Sequence, residues 1–259
     1  MRYVLSILTF ALALVACQAP KTHDLVIGTI AGPETDLVRV AAAIAHDNNG
    51  LDIKIIEFSD YHLPNEALAD GTLDLNIYQH LSFLKASMAA KAYPFKIIGK
   101  TFIYPMAIYS NRFHQLNQLP IGASIALPND PSNQGRALIL LQSAGLITCK
   151  DKDNPNLHDI LANPRAFKFK ELDAAHLPRL LPDVDAAIIN TSFAIPAGLN
   201  PLTDSLYLET KDAPYANLIV GRQSQVKTKQ IKQFVDAMHH QKVIDKAGEL
   251  FGQGAIPAW

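Results

Sequence analysis

The sequence predicts an α/β fold arranged as two lobes. Short apolar runs typical of buried strands alternate along the chain with segments whose apolar residues recur at helical spacing. Such alternation is typical of helices that cover mostly parallel sheets. The strands are too numerous for one compact open sheet at this spacing. With 259 residues, the chain has room for one large domain or two lobes, and two α/β lobes fit the pattern better.

The elements of the first hundred residues follow this alternation. The apolar run 25–30 predicts a buried strand, and Gly32-Pro33 begins a helix whose apolar spacing continues to Ala45. Asn49-Gly50 ends that helix. The same patterns then predict a strand at 52–56, a helix at 64–69, a strand at 74–77, a helix at 81–90 and a strand at 95–98.

The rest of the chain repeats the scheme. Apolar or alternating runs predict strands at 124–127, 167–170, 186–189 and 217–220. Helical spacing predicts helices at 136–144, 174–181, 227–238 and 243–250, and a short helix after 190. Ligands of such folds lie outside the carboxyl ends of the strands, so polar residues at those ends are candidates for a site.

The first seventeen residues have the pattern of a bacterial lipoprotein signal. Residues 3–16 carry no charge, and the run ends with Leu14 at −3, Ala16 at −1 and Cys17 at +1. A membrane-spanning helix needs about 20 apolar residues, whereas this run has the length of a signal h-region. We expect residues 1–16 to be removed and Cys17 to carry lipid that anchors the body to a membrane outside the cytoplasm. The alternatives are an ordinary signal peptide with an incidental Cys and a buried N-terminal helix.

Composition and motifs exclude several classes of function. Lys and Arg number 23 against 24 Asp and Glu, and removing Arg2 leaves 22 against 24, a net charge of −2. Lys and Arg form no cluster, which argues against nucleic-acid binding. Only Cys17 and Cys149 are present, so lipidation of Cys17 leaves Cys149 without a partner for an intrachain disulfide. Cysteines so few and far apart also argue against a Cys/His metal site. Nucleophile-elbow, phosphate-loop, metalloprotease and dinucleotide motifs are absent, so we expect neither an enzyme nor a cofactor.

Candidate binding residues follow or flank several predicted strands. Tyr61 is a candidate for an aromatic wall with a polar hydroxyl at its tip. Tyr78 and His80 lie on the same face at the end of a short predicted strand. Asn190 and Asn217 offer both a donor and an acceptor, which suits the ammonium and carboxylate of an amino acid. The alternative roles are structural: a helix-capping loop, a satisfied histidine, and turn or cap asparagines.

The most distinctive candidate segment is 128–136. Asp130 is a good N-cap and Pro131 fits the first helical position, so the free N–H groups of this helix predict an anion site. Arg136 can supply a bidentate fork for a carboxylate, and Asn133 can add a polar contact. The alternative is a well-capped helix whose Arg pairs with a surface acid.

Seven segments stand out together: Val26-Ile27-Gly28, Asp60-Tyr61-x-x-Pro64-Asn65-Glu66-Ala67-Leu68, Gln79-His80, Thr101-Phe102-Ile103-Tyr104-Pro105, the whole of 128–136, Ile188-Ile189-Asn190-Thr191 and Ala213-Pro214-Tyr215-Ala216-Asn217-Leu218. In this order they resemble the methionine-binding lipoprotein family, the substrate-binding components of bacterial methionine ABC importers. The resemblance covers residues 24–259, nearly the whole mature chain.

The resemblance implies a two-lobed periplasmic-binding-protein fold, type II-like, with the ligand in a cleft between lobes that close around it. Two hinge strands are implied near 104–110 and 205–215. Lobe 1 would comprise 17–107 plus 211–259, and lobe 2 would comprise 108–210. The family role implies a monomer, on the periplasmic face of a membrane in a Gram-negative cell, that delivers methionine to a permease and its ATPase. L-Methionine is the expected enantiomer.

The resemblance also implies roles for individual residues. Arg136 would grip the ligand carboxylate, while Asn190 and Asn217 would bind its amino and carboxylate groups. The remaining predicted contacts are Tyr61, Tyr78, His80 and Tyr104 around the ligand side chain, with Asn133 beside them. Tyr78 departs from the phenylalanine often found there, and its hydroxyl is expected to alter selectivity. The alternatives are the same fold binding another apolar amino acid or a methionine-containing dipeptide, and a surface lipoprotein acting in adhesion.

Overall fold

The computed structural model describes residues 23–210, 212–224 and 227–259, without the side chain of Gln253. In chain order the strands are β1 Leu25–Ile30, β2 Ile53–Phe58, β3 Leu75–His80, β4 Phe95–Ile103, β5 Ala107–Tyr109, β6 Ser124–Pro128, β7 Thr148–Cys149, β8 Ile160–Ala162, β9 Lys168–Leu172, β10 Ala186–Ile189, β11 Ser205–Leu208, β12 Ala216–Arg222 and β13 Ile256–Pro257. The α-helices are α1 Pro33–Asn49, α2 Leu63–Ala69, α3 Leu81–Lys91, α4 Pro131–Ser143, α5 Leu177–Leu180, α6 Thr191–Ala194, α7 Thr228–Met238 and α8 Gln241–Phe251.

These strands form two large sheets, one in each lobe, as the alternating pattern predicts. The first has the order β13-β4-β12-β3-β1-β2 and the second the order β11-β5-β10-β6-β9, while β7 and β8 form a small hairpin. In the first sheet β1 pairs parallel with β2 and β3, and β12 runs antiparallel between β3 and β4. In the second, β10 and β9 flank β6 in parallel.

Each lobe has its own apolar core because helices cover the faces of its sheet. In the first lobe, Leu37 of α1 and Phe234 of α7 are fully buried together with Phe102 of β4. In the second, Leu138 of α4 is fully buried in one cluster with Ile188 of β10. Burial of a large apolar side chain contributes about 1.5–3 kcal/mol, so each lobe has a substantial driving force for folding.

Two helix starts follow the sequence signals. Pro33 is the first residue of α1, and Gly50 beyond its end takes the left-handed conformation at φ 68°, which a glycine adopts without strain. The side chain of Asp130 caps α4 by accepting the backbone N–H of Asn133 at 2.9 Å. The helix predicted at 136–144 therefore begins at Pro131, at the position that the cap indicates.

The chain passes between the sheets at 104–106 and at 209–215. The predicted boundary placed Ala107 in lobe 1, but β5 pairs with β10 and β11 of the second sheet, so the first crossing ends before this residue. The two crossings are hydrogen-bonded to each other: Glu209 N–H donates to the Met106 carbonyl at 2.9 Å, and Met106 N–H donates to the Glu209 carboxylate at 3.0 Å. The hinge predicted from the resemblance is thus two short, mutually bonded segments.

Three observations concern the membrane and metal predictions. Within the described ranges, no helix is both long and apolar enough to cross a bilayer. The same residues contain no group of three or more His, Cys, Asp or Glu side chains placed to hold a metal ion. Cys17 and the predicted signal segment lie outside the described residues.

Candidate binding site

One cavity between the lobes brings together every residue that the sequence nominated for binding. Its open volume is about 20 Å³, so the lobes lie nearly closed on this space. Its lining consists of Tyr61, Tyr78, Gln79, His80, Phe83, Tyr104, Asn133, Arg136, Asn190, Thr191, Ser192 and Asn217. Gln79, Phe83, Thr191 and Ser192 also line the cavity, although the sequence did not nominate them for binding.

The topology explains why distant segments meet here. Tyr78 and His80 lie at the carboxyl end of β3, and Asn190 directly follows β10. Arg136 lies in α4, which begins just after β6. Because β12 is antiparallel to β3, its beginning lies at the same edge of the sheet, and Asn217 is the register partner of His80. Both sheets therefore present these strand ends to the space between the lobes.

A relay of three side chains fixes the orientation of Asn190. The Asn133 amide N–H donates to the Asp130 carboxylate at 3.0 Å, so its carbonyl oxygen faces away from Asp130. That oxygen accepts the Asn190 Nδ2–H at 2.8 Å. Asn190 Oδ1 is then buried and accepts no hydrogen bond from any described residue. A buried, unpaired acceptor beside a cavity is costly unless a ligand donor satisfies it.

The relay corrects two expectations about this helix start. Asp130 occupies the N-terminus of α4 with its own carboxylate, which leaves that end capped and not open to a ligand anion. The Asn133 amide group is hydrogen-bonded to Asp130, to Asn190 and to the Nε2 of His80, the last at 3.4 Å. Asn133 therefore orients its neighbours.

Arg136 forms a buried ion pair that the sequence did not reveal. Its side chain is 4% exposed, and its Nε and Nη2 donate to the two oxygens of Glu209, the Nε bond being 2.9 Å long. Nη2 also donates to the Tyr104 carbonyl at 2.9 Å, and the guanidinium lies 4.2 Å from the centre of the Tyr215 ring. The bidentate fork expected for the ligand carboxylate is thus held by Glu209. No described residue accepts from Nη1, which leaves that nitrogen as the donor available at the cavity.

The same ion pair separates the cavity from a larger neighbour. Arg136 lines the first cavity, whereas its partners Glu209 and Tyr215 line the second. The pair and the ring therefore form a partition between the two spaces. This partition limits the length of the smaller cavity at one end.

His80 is held neutral and has both ring nitrogens engaged inside the protein. Burial, and then the nearby Arg136 cation, lower the pKa of His80 to about 3. The Asn133 amide oxygen accepts from Nε2, so Nδ1 is the acceptor for the Phe83 backbone N–H at 3.4 Å. The imidazole thus caps α3 and presents ring surface to the cavity. The predicted reach of His80 toward a ligand polar atom is not available in this arrangement.

Tyr61, Tyr78 and Phe83 of the first lobe form an aromatic wall on another side of the cavity. The Tyr61 ring centre lies 5.8 Å from those of Tyr78 and Phe83 and 4.8 Å from that of Phe193. Phe193 belongs to α6 of the second lobe and packs against Tyr61 across the cleft, outside the cavity lining. Burial raises the pKa values of Tyr61 and Tyr78 well above those of exposed tyrosines, which keeps both hydroxyls protonated.

We expect Tyr78→Phe to change ligand affinity by less than about threefold and the free energy of unfolding by less than about 1 kcal/mol. The Tyr78 hydroxyl makes only a 3.4 Å contact with the Tyr61 carbonyl, whereas the ring itself packs in the aromatic wall. Isothermal titration and thermal unfolding measure both quantities. Tyr78→Ala serves as the contrast, because it removes the ring and should weaken binding clearly. A tenfold loss in the Phe variant would show that the hydroxyl touches the ligand.

No pattern in the sequence indicated that Glu209 and Tyr215 contact Arg136. Glu209 and Tyr215 stand in the second crossing, far from Arg136 along the chain, so only the tertiary fold reveals the contact. His62 is exposed, and its Nε2 lies 2.6 Å from the Asp173 carboxylate of the other lobe.

Comparisons with known proteins identify the family of this chain. The sequence model of the NlpA lipoprotein family matches residues 25–259. A curated relative from Yersinia pestis, named D-methionine-binding lipoprotein MetQ, is 41% identical, with 98% of this chain and 96% of that protein covered.

Two solved structures superimpose closely. An ABC transporter periplasmic substrate-binding protein from Coxiella burnetii has 50% identity and a TM-score of 0.88, covering 90% of this chain and all of that one (100%). A nutrient binding protein from Burkholderia cenocepacia bound to methionine has 40% identity and a TM-score of 0.88, covering 91% and 100%. These matches confirm the predicted fold and the resemblance. The chain belongs to the NlpA lipoprotein family.

Proposed function

We propose that this protein is a lipid-anchored solute-binding protein that captures methionine between its lobes and delivers it to an ABC importer. The observation that carries the proposal is an interlobe cavity with a buried guanidinium, an unpaired amide acceptor and an aromatic wall. The names of the relatives from Y. pestis and B. cenocepacia refer to D-methionine and to methionine, which supports the same ligand here.

The chemistry of the cavity suits an α-amino acid zwitterion. Arg136 would offer Nη1 to the ligand carboxylate, and Asn190 Oδ1 would accept from its ammonium. Both groups retain hydrogen-bonding capacity that the described protein residues do not use. Each therefore favours binding of a ligand that carries the matching charge. Tyr61, Tyr78 and Phe83 suit a thioether, because sulfur–aromatic contacts contribute about 0.3–1.5 kcal/mol each.

The partition favours a single amino acid over a dipeptide. A ligand extended beyond its carboxylate would have to displace the Arg136–Glu209 pair and the Tyr215 ring to enter the neighbouring cavity. Breaking a buried ion pair costs several kcal/mol. This cost weakens binding of a dipeptide and does not apply to methionine. An adhesion function gives no reason for a buried guanidinium and amide around an interlobe space.

The remaining parts of the proposal concern location and partners. We propose that Cys17 carries the lipid, that the body faces the periplasm in a Gram-negative cell, and that a monomer docks on a permease driven by a cytoplasmic ATPase. The family name of the relatives supports lipid attachment. In this scheme the chain performs no chemistry; its work is capture and release through lobe closure, which requires that the ligand bind the closed state more tightly than the open one.

We expect isothermal titration to show one-to-one binding of methionine to ligand-stripped protein that begins at Gln18. The panel contains both enantiomers, because the curated relatives are named for D-methionine, together with leucine and a methionine-containing dipeptide. L-Methionine should bind more tightly than leucine or the dipeptide. If heat is released only with another amino acid, or only with the dipeptide, the fold assignment stands and the proposed ligand changes. Absence of heat across the panel would remove the solute-binding proposal and favour the adhesion hypothesis.

A further inference from the structure

Glu34 is a buried carboxylate at the meeting point of the two lobes. It lies in the first turn of α1 and is only 4% exposed. One carboxylate oxygen accepts the hydroxyl of Ser192, which belongs to α6 of the second lobe. The other accepts Nδ2–H of Asn217, in β12 of the first lobe, at 3.1 Å. Both partners line the ligand cavity, so Glu34 lies one contact behind it.

The bond to Glu34 determines which end of the Asn217 amide faces the ligand. A carboxylate only accepts hydrogen bonds, so Asn217 must offer its Nδ2 to Glu34 and turn Oδ1 away. No described residue donates to that Oδ1. Together with Asn190 Oδ1, it gives the cavity two amide acceptors, one from each lobe. Two acceptors match an ammonium group and leave the carboxylate to Arg136.

We propose that Glu34 is a positioning residue that selects for an ammonium-bearing ligand, by fixing Asn217 as an acceptor and linking that orientation to lobe closure through Ser192. The proposal rests on the proposed function, since it assigns a specificity role within the same cavity. It also refines the expectation that Asn217 binds both charged groups of the ligand.

The electrostatic surroundings of Glu34 support this role. Burial raises its pKa to about 7, although the Ser192 and Asn217 hydrogen bonds favour the charged form. The titratable groups that face it are Tyr61 from the loop after β2 and Tyr104 from the first crossing, and burial raises the pKa of each. Both tyrosines are therefore neutral near pH 7, and His80 titrates far below that range. Glu34 is the group of this set that changes charge near neutrality.

The expected result of Glu34→Gln is a loss of methionine affinity of about tenfold to a hundredfold, since the amide no longer enforces the Asn217 orientation. The loss should be smaller for the 2-hydroxy analogue of methionine, whose hydroxyl both donates and accepts. The preference for methionine over this analogue should therefore fall. Glu249→Gln, at an exposed site on α8, is the matched control and should bind as the unmodified protein does.

The pH profile is the second measurement. Affinity of the unmodified protein should fall about tenfold from about pH 8 to pH 6, because protonation removes the acceptor charge of Glu34. The Gln variant should show a flat profile over that range. Ser192→Ala should weaken binding and move the fall in affinity to higher pH, since it removes a hydrogen bond that favours the charged form of Glu34 but leaves Asn217 oriented.

Folding is checked on the same samples. Below the unfolded pKa the raised pKa of Glu34 favours the native state, and this stabilisation is lost as pH rises through about 7. Ligand-free Glu34→Gln should therefore unfold at a higher temperature than the unmodified protein at about pH 8.

An unchanged affinity, ligand preference and pH slope in a folded Gln variant would overturn the inference and leave methionine binding intact. If that variant does not fold, a flat profile in the unmodified protein overturns it. An unmodified protein that binds no methionine removes the proposed function and this inference with it.

Discussion

Arg136→Ala should abolish methionine binding and lower the free energy of unfolding by about 3–5 kcal/mol. The substitution removes the Arg136 guanidinium from the cavity lining and leaves the Glu209 carboxylate buried without its partner. It also frees the Tyr104 carbonyl and the face of Tyr215, so contacts to both crossings are lost. Urea unfolding of the ligand-free protein and isothermal titration measure the two effects.

A double variant separates the loss of binding from the loss of stability. Arg136→Met combined with Glu209→Gln replaces the buried charges by neutral groups, and the Gln oxygen can still accept the Met106 N–H. Such replacements of buried ion pairs are often neutral or stabilising, so most of the lost stability should return. Binding should not return, because the donor for the ligand carboxylate is still missing. A double variant that binds methionine like the unmodified protein would rule out the carboxylate role of Arg136.

A control measures what an ordinary ion pair contributes here. Arg112 pairs with Asp185 at 3.2 Å, and the Arg112 side chain is 50% exposed. Exposed pairs contribute about 0–1 kcal/mol, so Arg112→Ala should change stability little and binding not at all. A stability loss as large as that of Arg136→Ala would show that burial of the Arg136 pair is not the cause of its effect.

Asn190→Ala should weaken methionine binding by about tenfold to 150-fold while changing the free energy of unfolding by less than about 1 kcal/mol. The variant loses the hydrogen bond to Asn133, but it also removes a buried oxygen that the ligand-free protein leaves unpaired. These two effects oppose each other in the ligand-free state. In the complex, by contrast, the ammonium loses a charge-assisted hydrogen bond.

Thermal unfolding with and without saturating methionine tests this prediction together with titration. The variant should unfold near the temperature of the unmodified protein when ligand-free and show a smaller ligand-induced rise. Asn117→Ala, at an exposed site, is the matched control and should leave both values unchanged. A strong loss of ligand-free stability, without a loss of affinity, would assign Asn190 a structural role.

The sequence predicted the local features of the site well because local chemistry determines them. Asp130 and Pro131 place the start of α4, and the alternation of strands and helices leads to two sheets whose strand ends meet. The eight nominated side chains line one cavity for the same reason. What each atom does there was harder to predict.

The errors arose where a side chain's partner lies far away in the chain. Arg136 and Glu209 are 73 residues apart, and no local pattern shows that this acid turns inward at the second crossing. Glu34 lies in the predicted helix start at Pro33 but received no role there, since its partners Ser192 in α6 and Asn217 in β12 lie far away along the chain. The lobe boundary at 107 was misplaced because β5 is a three-residue strand, too short for a clear periodic signal.

The separation between the amide relay and the aromatic wall has a consequence for how such proteins diversify. Asp130, Asn133 and Asn190 depend on one another for orientation, so a change in any of them disturbs the others. Tyr61 and Phe83 contribute ring surface and can be exchanged for other bulky apolar residues at small cost to the relay. A lineage can therefore acquire a new side-chain preference by a few substitutions in the wall while it retains its grip on amino acids as a class. Laboratory selection for altered transport cargo should accumulate its first successful changes there.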